Sequence, residues 1–275
     1  MNLKFSTVIC FLSVVLSGFF LINYPDQLIS LAEATNNSNE ELEIIDINQL
    51  EQSDVIYLGE NHDNYQHHAW QLDIVKQLQQ DTNHVPLAIA LEMFQRPFQP
   101  ILNRYLAEEI GEVEFRTQTE YDSRWGFDWE FYAPILRYAK QQQIPLIALN
   151  TPEEITSKVA KNGISSLNGS DFRYIPPLEE IELNNREYKQ NIKEIYLQHV
   201  KDGRGNSKDL DNFFAAQVLW AETMAEAIAL YYQNNPKSQI VVLVGKAHVM
   251  NDYAIPNRVK RRIKDRSFQD IVRLL

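Results

Sequence analysis

The sequence predicts an α/β fold, a mainly parallel sheet buried between helices on both faces, with a helical cap or insertion over it. Three observations carry that reading. Short apolar runs at 55–58, 87–91, 145–149 and 240–244 lack polar alternation, as strands covered on both faces do. Strand-like and helix-like segments alternate along the chain, which right-handed crossovers turn into parallel pairing with helices above and below. Between residues 163 and 209 strand character disappears, and Pro176, Pro177 and a charged helical stretch at 178–200 read as an insertion over the sheet edge.

Taken in order, the first strand stops at Gly59, read as a turn glycine, and a helix follows over 65–80 with Ala69, Leu72, Val75 and Leu78 as its apolar stripe. His67 and His68 sit on its first turn. Neighbours on a helix point about 100° apart, so only one of the two can share a site with His62. The second strand ends in Glu92, and Pro97 opens a helix to about residue 109. Residues 120–132 are dense in aromatics and read as a hydrophobic lid, with Arg124 among them. Asp128 caps the next helix, which runs to 143. The third strand ends in Asn150, and Thr151 with Pro152 starts another helix. Residues 203–206 form a glycine-rich turn. Asp211 caps a helix over 212–233 that is apolar on nearly every side and must be buried, with Gln217 and Glu222 interrupting it. The fourth strand stops at Gly245, and a basic helix over 258–266 and an edge strand from Phe268 close the chain.

With 275 residues and 44% hydrophobic content, the chain has material for one large core. A net charge of −11 and a pI near 5.1 exclude a general nucleic-acid binder, which needs a basic face to displace counterions. The single cysteine, Cys10, lies inside an apolar run at 5–22 that follows Lys4. That run and the small residues Ala32 and Ala34 predict a signal peptide over 1–34 cut after Ala34, with an uncleaved membrane anchor as the alternative. The protein is therefore expected to be exported, periplasmic or membrane-associated through its N-terminus. Residues 35–275 are expected to form a single domain with its insertion at about 163–210.

In a parallel sheet all strand ends of one sense share one edge, so Glu60, His62, Glu92, Asn150, Lys246 and His248 should converge. The two outer clusters repeat a pattern, Gly59-Glu60-Asn61-His62 and Gly245-Lys246-Ala247-His248. Two chemistries suit that set. His62, His248, Glu60 and Glu92 could bind a divalent metal, Zn or Mn, with a glutamate as general base of a hydrolase. Alternatively, the same polar groups orient the backbone while a large flat ligand lies among the aromatic and basic residues.

The segments IYLGENHDNYQHH, LEMFQRPFQP, YDSRWGFDWEFYAPILRYAKQQQIPLIALN, AAQVLWAETMA and VVLVGKAHVMNDYAIPNRVKRR together resemble the ChaN-like haem-binding family of the Tiki and erythromycin-esterase-like superfamily. The resemblance covers residues 44–262. It implies an α/β core with a helical cap, and haem binding at a homodimer interface linked to haem or iron handling at the cell envelope. Many members are lipoproteins, whereas Cys10 lacks the surroundings of a lipid-attachment cysteine. The superfamily includes metal-dependent hydrolases using the Gly-x-x-His pairs, positions filled here by His62 and His248. If the ligand is haem, iron needs a Tyr, His or Met donor. Tyr196 and His199, one helical turn apart, and Tyr253 are the candidates. Arg124, Lys246 and the basic run at 258–262 are candidates for the propionates. The expected function is thus an exported haem-binding protein without catalysis, with the hydrolase as alternative.

Overall fold

The computed structural model describes residues 47–80, 85–203, 207–251 and 253–275. The expected leader at 1–34 and residues 204–206 of the glycine-rich turn lie outside them. In chain order the elements are α1 (Ile47–Glu51), β1 (Val55–Glu60), α2 (Tyr65–Gln80), β2 (Leu87–Gln95), α3 (Gln99–Leu106), α4 (Glu112–Gln118), α5 (Tyr121–Arg124) and α6 (Trp129–Gln142). There follow β3 (Leu146–Asn150), α7 (Glu153–Asn162), α8 (Arg186–Lys201), α9 (Leu210–Asn234), β4 (Gln239–Gly245), α10 (Ile255–Arg262) and β5 (Asp270–Leu274).

Among the described residues the strands form a single sheet in the order β3-β2-β4-β1-β5, and every pairing is parallel. The absence of alternation in the apolar runs has its cause in what covers the sheet. Ile56, Leu58, Ile89, Leu91, Val241 and Leu243 face a core closed by α2 to α6. Val55, Tyr57, Ala88, Ala90, Ile240, Val242 and Val244 face the C-terminal part of α9 and α10. Both directions of each strand are apolar because both faces are covered. The 25-residue α9 is apolar enough to cross a membrane by composition, and 83% of its apolar window is buried inside the fold. Its N-terminal part, through Phe213, Phe214, Val218 and Leu219, packs instead on α7 and the insertion in a separate cluster with Ile155, Val159, Ile181 and Ile192.

Several boundaries differ from expectation. Gly59 lies inside β1, not at a turn, and is confined there by packing: a Cβ would stand 2.9 Å from both Leu274 Cδ2 and Val249 Cγ2. β2 continues past Glu92 to Gln95, with its register on β3 shifting between Leu91 and Gln95. A 3-10 turn at Arg96–Phe98 precedes α3, and Glu108 at φ 60° stops the chain from continuing as a helix before α4. Asp209, not Asp211, caps α9, its carboxylate accepting from Asn212 N at 2.9 Å. The charged stretch of the insertion is helical only from Arg186, where the Asn185 side chain accepts from Tyr188 N. Asp128 caps α6 as expected, accepting from Glu130 N. Tyr121, Trp125, Trp129 and Tyr132 of the aromatic segment are buried against the sheet.

Candidate functional site

β1, β2, β3 and β4 end on one edge and bring Glu60, His62, Glu92, Asn150 and His248 together. Glu60 is buried, and its carboxylate is saturated by neutral and charged donors. Oε1 accepts from Tyr132 Oη at 2.6 Å and from His62 Nδ1 at 2.8 Å, while Oε2 accepts from Gln71 Nε2 at 2.5 Å. His68 Nδ1 stands 3.4 Å from the same oxygen, and its Nε2 donates to the His62 carbonyl at 3.0 Å. His67 points elsewhere, as helix geometry requires, and accepts from Asn61 N. Burial raises the Glu60 carboxyl, but the hydrogen bond from His62 and the charges of His62 and His68 outweigh it and hold the group below its ordinary value. Burial likewise depresses His62, yet the bond to Glu60 and the fields of Glu92 and Glu60 leave it raised.

Glu92, also fully buried, faces the other side of the His62 ring. Its Oε2 accepts from Gly245 N at 2.6 Å and lies 4.0 Å from His62 Nε2, and its Oε1 lies 3.4 Å from His248 Nε2. Burial raises this carboxyl, and the charge and hydrogen bond of His248 overcome that and lower it. Asn150 donates to the Glu92 carbonyl at 2.9 Å. Gly245 makes room for the imidazole, since a Cβ there would stand 2.7 Å from His62 Nε2. Trp125 and Phe127 close the site from the lid, with ring centroids 4.8 Å and 4.9 Å from His62. Among the described residues no group of three or more His, Cys, Asp or Glu is arranged to hold a metal ion. Chemically the arrangement is a shielded, paired set of two carboxylates and two imidazoles.

The other candidates lie away from this set. Arg124 is engaged by Glu120, Glu154 and Gln95. On α8, Tyr196 and His199 both turn inward onto Phe213, and His199 is buried. Tyr253, on the segment after β4, stacks on Tyr188 of α8 at 4.5 Å and accepts from Asn191. Lys246 is half-buried at the edge and has no ion-pair partner among the described residues. The basic run is not a solvated face: Arg258, Arg261 and Arg262 converge on the fully buried Glu222 of α9, with Arg261 also reaching Glu182 and the Glu180 carbonyl. That lock explains the acid within the apolar α9. Of His67 and His68, the sequence allows one beside His62, and it is His68; Gln71 and Tyr132 are members of the strand-edge set that the sequence reading does not include. The one-turn spacing of His68 and Gln71 on α2 was the available signal.

A family model described as haem-binding uptake, Tiki superfamily, ChaN, matches residues 47–259. The chain belongs to the ChaN family. A solved structure described as cofacial haem binding to ChaN of Campylobacter jejuni is similar to this ChaN-family chain with a TM-score of 0.61 at 21% identity, covering 83% of each. At that identity it shows the shared fold. A mutant of the erythromycin esterase EreC in its open conformation gives a TM-score of 0.47 at 12% identity, covering 84% of this chain and 71% of that one. The ChaN-family sequence is also 25% identical over 228 residues to Protein RETICULATA-RELATED 5, chloroplastic, of Arabidopsis thaliana, using 78% of this chain and spanning 30% of that relative's length.

Proposed function

We propose that this protein binds haem without catalysis, as an exported homodimer at the cell envelope. The observation that carries the reading is the family match, which runs over residues 47–259, through both Gly-x-x-His segments and β1 to β4. The chain's own residues fit the ligand chemically. Haem needs an oxygen, nitrogen or sulfur donor for iron, an apolar face and cations for its propionates. The short segment after β4 supplies Tyr253, the exposed Met250 and the half-buried Lys246. We assign Tyr253 as the iron donor. It is partly exposed, and its hydroxyl oxygen accepts from the amide of Asn191. Tyr196 and His199 are directed at Phe213 instead. Bound iron would supply the redox and ligand-exchange chemistry, and the residues named here would hold and orient it.

Haemin titration of the full-length chain, followed in the Soret region, tests the proposal. A saturable shift at a fixed haem-to-protein ratio is expected, weakened at least tenfold in Tyr253→Phe and unchanged in Tyr196→Phe, a tenfold change corresponding to about 1.4 kcal/mol. The absence of any saturable shift would overturn haem binding, and an unaltered Tyr253→Phe titration would overturn the donor. Intact-mass analysis of the envelope fraction tests export, with a mature chain starting at Thr35 expected, and sedimentation with and without haemin tests the dimer.

A further inference from the structure

His67 is used as a hydrogen-bond acceptor. Asn61 N donates to its Nδ1 at 3.0 Å, so that nitrogen carries a lone pair and the ring proton sits on Nε2. The ring is 6% exposed and stacks on Trp70 with centroids 5.7 Å apart at 18°. Asn61 is the first residue beyond β1 and stands between Glu60 and His62. From it the chain turns through Asn64 N to the Asn61 carbonyl at 3.0 Å, and enters α2 through Gln66 N to Asn64 Oδ1 at 2.9 Å. The bond to His67 therefore fastens the exit of β1 to the first turn of α2.

A doubly protonated imidazole has no lone pair, and its Nδ1–H would confront the Asn61 N–H. The fastening and the charged ring are mutually exclusive. Four charged or titratable groups face the ring: Glu60 from β1, Asp63 from the turn, His68 from α2 and Lys246 from the segment after β4. The two acids favour the cation, while Lys246 and His68 oppose it. Burial opposes it most, so His67 titrates below the ordinary histidine value of 6.5. We propose that His67 is an acid-released latch, whose protonation breaks the bond from Asn61 N and loosens the start of the 61–64 turn, while His68 keeps its hold on the His62 carbonyl. The latch stands on this hydrogen bond alone and holds whether or not the protein binds haem.

The test is two-dimensional NMR of the full-length chain between pH 7.5 and 5.0, with His67→Gln and His67→Ala beside it. In the natural chain the Asn61 amide should shift with one midpoint below 6.5, in step with the His67 ring nitrogens passing from the Nε2–H tautomer to the cation. Its protection against hydrogen exchange, corrected for the intrinsic rate, should fall roughly tenfold through that midpoint, the size expected for one lost hydrogen bond. Glutamine offers an oxygen acceptor at every pH, so His67→Gln should keep Asn61 protected throughout. In His67→Ala it should be unprotected throughout. A His67 ring that is protonated on Nδ1 at pH 7.5, or an Asn61 transition that persists in His67→Gln, overturns the latch. Should His67→Gln fail to fold, the ring-nitrogen and Asn61 titrations of the natural chain decide alone, coincidence supporting the latch and independence overturning it.

Discussion

An alanine methyl at position 245 would stand 2.7 Å from His62 Nε2 and 3.0 Å from His62 Cε1, with Glu92 Oε2 at 3.6 Å. The imidazole cannot retreat without giving up its bond to Glu60, so Gly245→Ala should cost about 1–3 kcal/mol by overpacking. Urea unfolding measures it, and an unchanged midpoint would mean that His62 is free to swing aside. Tyr132→Phe removes a different support, the 2.6 Å hydrogen bond to the Glu60 carboxylate, and should cost about 1.5–3 kcal/mol because the acceptor is charged and buried. Both glycines of the repeated pattern stand out in the sequence, Gly59 as a turn former and Gly245 as the end of an apolar run. Their actual cause is lateral crowding, which depends on side chains from remote strands and leaves no trace in the local residue order. His62, His248, Glu60 and Glu92 were legible because apolar runs end beside them. Tyr132 was not, since the aromatic residues around it gave no hint that its hydroxyl reaches β1.

α10 is fastened to α9 by charge as well as by apolar contact. Glu222 is fully buried and faces three arginines; Arg261 and Arg262 also reach Glu182 and Glu180, so Glu222→Gln leaves the buried Arg258 without a counter-ion, a loss of about 3–5 kcal/mol. Chemical denaturation should report that loss, together with faster exchange of amides around Glu180 and Glu182, which Arg261 also holds. A variant as stable as the natural chain would place the ion cluster outside the cooperative fold. The sequence showed the basic run plainly, yet periodicity could not reveal that its partner lies on the preceding helix. The limits of α8 were misread for a similar reason. Residues 178–185 have helical composition, but the chain is drawn into a 3-10 turn at Leu178–Glu180 and restarts only at the Asn185 cap.

Across the molecule, three buried carboxylates, Glu60, Glu92 and Glu222, are held below the ordinary glutamate value of 4.5. Their stabilisation is complete above that value and is lost as pH falls through the lower folded values. His62 contributes in the opposite sense, fully present below 6.5 and lost as pH rises through its raised folded value. Thermal midpoints should therefore fall steeply on acidification below about pH 4.5. A midpoint constant from pH 5 to pH 3 would show that these pairs do not hold the fold together. Four strands and their parallel sense were readable, because burial on both faces leaves continuous apolar runs. Strand order was not, because it is decided by contacts between distant parts of the chain.

That order has a consequence for synthesis. Among the described strands β1 is the first to leave the ribosome, but its two neighbours in the sheet are β4 and β5, the last two of them. At roughly 5–20 residues per second, an apolar strand with both edges open waits on the order of tens of seconds for its partners. The growing chain cannot complete its sheet from the N-terminus inward, and a nascent chain that stops before β4 carries β1 as an adhesive edge for other chains.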